Sequence, residues 1–315
     1  MSFSGRKLMV QNSNSGPTWV TTTMPYSNEW TAVTYGNGRF IAVSDDNYNS
    51  AAYSDDGLTW VISNGLPGDG WYSVTYGGGK FVAGGSGIVA YSNDGITWSL
   101  GTGINFNIQH AKVVYGGGKF VAVAYLNTAA YSYDGVTWTA TTMPIYANWT
   151  SVTYGGDKFV ATANFPQATA YSYDGITWVA TSMPSLADNS VWILSYGEGK
   201  FVAIASSGNT IFIKNTAAYS YDGITWLTSA IPSLAGAYGS WTSVSYGGGR
   251  FVAVTSGPTG VQTNGAYSND GINWVIDPLP TPGFTSITYG ENRFVAVYRG
   301  WNSVGSNLAG YTIET

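Results

Sequence analysis

The chain has 315 residues, a formal net charge of −5 and only 9% charged residues. It holds no cysteine and one histidine, which excludes disulfides, cysteine nucleophiles, cysteine-based metal sites and histidine clusters. No basic stripe suits nucleic acid, no run of 18 apolar residues suits a membrane span, and the start at Met1 lacks the apolar core of a secretory leader.

Residues 1–14 are expected to form an N-terminal extension and residues 15–315 a single domain. The first recognisable fragment is Ser15-Gly16-Pro17-Thr18-Trp19, which ends G-x-T-W. Next, an alternating run from Trp30 leads into Tyr35-Gly36-Asn37-Gly38-Arg39-Phe40 and then an apolar run. This Y-G-x-x-[KR]-F signature returns at Tyr76, Tyr115, Tyr154, Tyr196, Tyr246 and Tyr289. Period-two alternation around a glycine-rich centre reads as strand, tight turn, strand.

A second signature is interleaved with it. Ser54-Asp55-Asp56-Gly57-Leu58-Thr59-Trp60 begins a series, S-x-D-G-[ILV]-T-W, that returns at Ser92, Ser132, Ser172, Ser220 and Ser268, with Asn273 replacing Thr in the last copy. Most copies lie roughly 40 residues apart, the length of a four-stranded propeller blade. In the fourth unit the expected strands are A, Trp149–Tyr154; B, Lys158–Thr162; C, Thr169–Ser172; and D, Thr177–Thr181. One such unit cannot bury both faces of its sheet, so units must stack. The expected fold is all-β, a seven-bladed β-propeller of four-stranded blades.

Seven copies of one signature and six of the other leave one outer strand to find. Ala309-Gly310-Tyr311-Thr312 matches strand C. The N-terminal strand at Trp19 is therefore expected to supply strand D of the last blade, closing the ring and removing an exposed sheet edge. An alternative closure draws strand C from Leu8–Asn12.

The S-x-D-G-x-T-W segment resembles the Asp-box of sialidase-like (BNR repeat) propellers, whose box is S-x-D-x-G-x-T-W at the turn between the third and fourth strands. It covers the chain from Trp19 to Tyr311, although this box is one residue shorter between Asp and Gly. The resemblance implies a propeller and leaves function open. Sialidase chemistry needs an arginine triad, a Tyr–Glu pair and an acid Asp. Here Arg39, Arg250 and Arg293 occupy the repeated turn, leaving Arg6 and Arg299. The expectation is a non-catalytic member with no cofactor and no metal. Glu29, Asp45, Asp46, Asp69 and Asp188 on variable loops keep a two-carboxylate glycoside hydrolase as a lesser alternative.

The box aspartates Asp56, Asp94, Asp134, Asp174, Asp222 and Asp270 are expected to cap their own turns. Seven basic residues (Arg39, Lys80, Lys119, Lys158, Lys200, Arg250 and Arg293) should pair with acids on the same rim. Only Arg6, Lys7, Lys112, Lys214 and Arg299 remain outside the pattern.

Loops on the opposite rim vary from unit to unit, and loops on a rigid scaffold are a usual place for recognition. Five positions before each signature tyrosine stand Trp30, Trp71, His110, Trp149, Val191, Trp241 and Phe284, with Trp192 one residue late in the fifth unit. These residues fit either packing between blades or exposed platforms for sugar rings. The second reading makes Trp30, Trp71, His110, Trp149, Trp192, Trp241 and Phe284, together with Tyr48 and Trp301, candidate ligand-binding residues. The box tryptophans are read as core. The expected function is multivalent, lectin-like binding of carbohydrate or a cell-surface glycan, on a phage or virus particle or another extracellular surface. The alternative is a structural virion propeller that contacts other virion proteins. Neither nucleic acid nor membrane insertion is expected.

Overall fold

The computed structural model describes residues 16–46, 51–68, 70–104, 110–186, 190–206, 215–232, 240–257, 263–280, 283–299 and 308–313. They form seven four-stranded antiparallel sheets arranged as a β-propeller, with no helix among the described residues. In the first blade strand A is Trp30–Gly36, B is Arg39–Ser44, C is Ala51–Ser54 and D is Val61–Ile62, hydrogen-bonded in that order. The fourth blade, Asn148–Gly155, Lys158–Asn164, Ala168–Ser172 and Val179–Thr181, follows the same plan. Strands A line the axis of the ring.

The last blade is built from both ends of the chain. Ser286–Gly290, Arg293–Val297 and Leu308–Ile313 supply strands A to C, and Thr18–Thr23 supplies strand D. Trp19 pairs with Thr312 and Thr22 with Ala309 in an antiparallel ladder. Leu308–Ile313 fills the place that the alternative closure gave to Leu8–Asn12, and those residues lie outside the described ones.

Seven hydrophobic clusters hold the ring together, each spanning two adjacent blades. One gathers Val121 and Val123 of the third blade with Trp149, Phe159 and Trp178 of the fourth. The box tryptophans Trp60, Trp98, Trp138, Trp178, Trp226 and Trp274 are buried, as read from the repeat, while Trp19, read as core with them, is half-buried against the last interface. The first glycine of each Y-G pair also belongs to an interface. A Cβ on Gly155 would lie 2.0 Å from Tyr196 Cγ of the next blade, and the series closes with Tyr35 over Gly290.

Hydroxyl groups near the axis add a second fastening. Thr31 Oγ1 donates to Trp71 O (2.6 Å), Ser73 Oγ to Ala111 O (2.8 Å), Thr242 Oγ1 to Phe284 O (2.6 Å) and Thr285 Oγ1 to Trp30 O (2.8 Å). The Thr285 bond joins the last blade to the first, across the point of closure.

A bulge explains the misplaced tryptophan of the fifth blade. In blades one, two, four and six the register slips just after the strand A tryptophan, between Trp149 and Ser151 for example. One extra residue is accommodated there, which re-aims the side chain. The fifth blade keeps a continuous register, and Trp192 pairs with Ala205 directly. Trp192 thereby faces the strand B position that Ala163 holds against Trp149, four residues after the signature phenylalanine.

At the closure, Trp19 Nε1 donates to Asp277 Oδ2 (3.2 Å) in the preceding blade. Burial pushes the Asp277 carboxyl up to about 6, against the Trp19 hydrogen bond and the charge of Arg250. The folded state thus favours the protonated acid. Its stabilising contribution is complete below about pH 4, where the unfolded chain is protonated too, and is lost as pH rises through about 6. Asp277→Asn is expected to remove this slope and raise stability at pH 7 by about 2 kcal/mol. Thermal melts of both proteins from pH 4 to 8 check it, and an identical slope in the variant excludes Asp277 as the source.

Candidate functional site

The box rim is structural in its details. Asp134 Oδ1 accepts from the backbone N–H groups of Val136 and Thr137, both at 2.8 Å, and from Ser132 Oγ, which itself accepts from Gly135 N. The other five boxes repeat this pattern. At Asp270 burial opposes ionisation, but N–H groups of Asn273 and Ile272 and the side chains of Asn273 and Ser268 outweigh it, holding the carboxyl at about 2. Three of the turn cations reach across to the next blade. Arg39 meets Asp55 (2.6 Å) and also donates to Asp94 O of the next blade, while Lys119 and Lys200 donate to Asp174 O and Asp270 O. Arg39 thus meets the expected ion pairing, while Lys119 and Lys200 reach a backbone carbonyl of the neighbouring box instead.

The sugar-platform reading of strand A is also corrected. Trp30, Trp71 and Trp149 are 0% exposed and Trp241, Phe284 and Trp192 at most 4%. With the bulge in four blades and without it in the fifth, these rings lie in the blade interfaces, so none offers a face to a ligand. Tyr48 and Trp301 lie outside the described residues, as do Asp69 and Asp188. Among the described rings of the series, His110 alone is half-buried.

His110 marks the place where unlike residues gather. It sits at φ 54° before strand A of the third blade. Its ring lies 4.1 Å from that of Tyr72, in the second blade, and 4.6 Å from Tyr125, nearly parallel at 20°. Both tyrosines are half-buried. Burial and the neighbouring Lys112 hold His110 below its ordinary value, so the imidazole is neutral at pH 7.

Beside this stack lies an ion network between the last blade and the first. Arg299 Nε donates to Glu29 Oε2 (2.7 Å) and its Nη2 to Asp45 Oδ2 (3.1 Å). The backbone bridge between Glu29 and Arg299 fixes this geometry, and the Glu29 N–H donates to Asp46 Oδ2 (2.6 Å). Tyr72 joins the two halves. Burial raises its phenol, and its hydroxyl bonds Ser86 and Asp45. Arg299, read from sequence as outside the pattern, is therefore engaged by two carboxylates. Glu29 and Asp45 neutralise that arginine, and no hydrolytic acid–base pair is assigned to them.

Four blades thus converge on one mouth of the ring, with aromatic faces on one side and oriented carboxylates and a guanidinium on the other. Such a surface can stack the apolar face of a polyol ring and hydrogen-bond its hydroxyls. Among the described residues no group of three His, Asp or Glu could hold a metal, and no helix is long and apolar enough to cross a membrane. Sequence reading named His110 as a candidate, Tyr125 as a rim aromatic and Lys112 as a cation outside the pattern, but did not bring them together and missed Tyr72. The signal was available: Tyr72 stands where other blades have Thr31, Thr150, Thr242 and Thr285, and Lys112 where they have Ser73, Ser151, Ser243 and Ser286.

No protein-family model matches the chain, and no curated protein matches it. Solved structures do resemble it in fold. Virginiamycin B lyase from Staphylococcus aureus superposes with a TM-score of 0.74 at 11% identity, covering 94% of this chain and 99% of that one. A streptogramin B lyase gives 0.72 at 11% identity over 93% and 96%. YCF48 bound to a D1 peptide gives 0.69 at 13% identity over 96% of both chains. These likenesses establish the seven-bladed ring. They also correct the expectation that the chain is not an enzyme, because rings of this architecture include lyases. The missing sialidase arginines speak only against sialidase chemistry.

Proposed function

We propose that the chain is a recognition propeller that seats carbohydrate at the ring mouth formed by the last blade and the first three. The observation that carries this reading is the half-buried stack of Tyr72, His110 and Tyr125 beside the Glu29–Arg299–Asp45 network. Aromatic faces next to fixed hydrogen-bonding groups suit a neutral polyol, and the site is localised where the sequence reading spread it over every blade. The Asp-box resemblance supports the scaffold and says nothing of the ligand. Low charge and abundant hydroxyl side chains support a place on a phage or virus particle or another extracellular surface.

Tyr125→Ala and His110→Ala are expected to weaken glycan binding at least about tenfold while leaving the melting temperature within a few degrees. A glycan array followed by calorimetric titration measures this. No hit at millimolar sugar, or unchanged affinity in both variants, overturns the reading.

One observation favours the alternative, a structural propeller that docks other proteins. Tyr133, Tyr173 and Tyr221 on three consecutive blades are 64–66% exposed on the box rim, each beneath a lysine. Tyrosine is enriched in protein interfaces. Co-purification with particle proteins from the native source, in place of glycan binding, selects this reading.

A further inference from the structure

Strands A enclose a cavity of about 260 Å³ on the ring axis. Its wall draws on all seven blades and consists of small, hydroxyl-bearing and aliphatic residues, with Tyr72, Trp192 and a single charge, Lys112. At the same register position the other blades carry Ala32, Ser73, Ser151, Ile193, Ser243 and Ser286. A long cationic side chain thus replaces a short one at one point of an otherwise neutral ring.

Lys112 is not explained as half of an ion pair. Its Nζ donates to Tyr72 O (3.0 Å), a neutral carbonyl, and no salt bridge to it is found among the described residues. An ammonium has three donors, so the Tyr72 bond leaves two uncommitted. The charged and titratable groups facing it come from three directions. Arg299 of the last blade repels it, Asp45 of the first attracts it, and the His110 imidazole stands two residues before it, ahead of the strand. Asp45 is already held by Arg299. Among the described residues no serine or threonine oxygen bonds Nζ; Ser73 Oγ, for example, donates to Ala111 O and accepts from Val113 N instead.

We infer that the axial cavity binds a small oxyanion, a carboxylate or phosphate group, at the Lys112 ammonium. The volume lies just below the range of drug-sized pockets, near 300 Å³ and above, so the ligand or the anionic end that enters is small. An oxyanion accepts the two free N–H groups and supplies the counter-charge the wall lacks. Physical linkage agrees. Burial and Arg299 pull the empty-site amine down to about 8, and an anion at that point restores the charged form. Anion binding is therefore coupled to proton uptake near and above pH 8. This inference goes beyond the carbohydrate reading and does not depend on it, since it concerns the axis and not the Tyr125 stack.

The test is calorimetric titration of the whole chain with sodium acetate and, separately, inorganic phosphate at constant ionic strength. Measurement in buffers of different ionisation enthalpy counts protons. The expected result is millimolar binding of at least one anion, with proton uptake at pH 8.5, little at pH 7, and affinity falling at least about tenfold between pH 7 and pH 9.5 as the amine deprotonates. Acetate binding assigns a carboxylate ligand, and phosphate binding alone assigns a phosphoryl group. Lys112→Met should abolish the binding. If that variant fails to fold, the pH profile and proton count of the unaltered chain still decide. Absence of binding for both anions at pH 7, or binding without proton uptake at pH 8.5, overturns the inference and leaves Lys112 as a tether to the Tyr72 carbonyl.

Discussion

Replacing Trp149 with alanine is expected to cost the ring about 3–5 kcal/mol, the usual range for deleting a large buried aromatic side chain. Trp149 is fully buried and packs against Val121 and Val123 of the third blade and Trp178 of its own. Its indole N–H donates to Ile145 O (3.3 Å), so alanine also leaves that carbonyl without the bond. The cavity cannot collapse easily, because the blades on both sides are fixed by the closed ring and by the hydroxyl bonds near the axis. Domains are stable by only about 5–15 kcal/mol, so the variant should approach its unfolding threshold. Denaturant unfolding measures the loss. A cost below about 1 kcal/mol, accompanied by lower sugar affinity in the folded fraction, would restore Trp149 as a ligand platform.

The fold was legible because each repeat carries its own strand boundaries. Y-G-x-x-[KR]-F marks the A–B turn and S-x-D-G-x-T-W the C–D turn, so counting both gave seven blades. The one missing outer strand led to Trp19, and its pairing with Thr312 follows. Legibility failed where local geometry breaks period two. A bulge after Trp30, Trp71, Trp149 and Trp241 turns each indole into an interface, and nothing in the alternating pattern separates that from an exposed ring. The mouth was hidden for another reason. Glu29, Asp45, Tyr72, His110, Tyr125 and Arg299 come from four blades, and Glu29 and Arg299 are 270 positions apart. Only ring closure brings them together. The usable signal was departure from the repeat rather than the repeat itself: histidine for tryptophan at 110, lysine for serine at 112, tyrosine for threonine at 72.

The same contrast between turn and interface yields the second large effect, at a glycine whose role the sequence reading assigned to the turn. Gly155→Ala is expected to destabilise the ring by at least about 3 kcal/mol, at or beyond the top of the range for overpacking a core. Its new Cβ would sit 2.0 Å from Tyr196 Cγ and 2.3 Å from Cδ1 and Cδ2, distances no packed side chain tolerates. Tyr196 has nowhere to go, since its ring lies 4.8 Å from Phe201 in the same blade. Gly118→Ala is the control. That glycine has φ +77° and open space around it, so alanine there meets only the left-handed backbone penalty of about 1–2 kcal/mol. The two substitutions separate steric contact from turn geometry. A double change, Gly155→Ala with Tyr196→Ala, should recover part of the loss through a coupling energy of order 1 kcal/mol or more, because the clash disappears with the ring. Equal costs at Gly155 and Gly118, with no coupling to Tyr196, would mean that the Y-G pair serves the turn alone and that the blades are held only by their hydrophobic clusters and hydroxyl bonds.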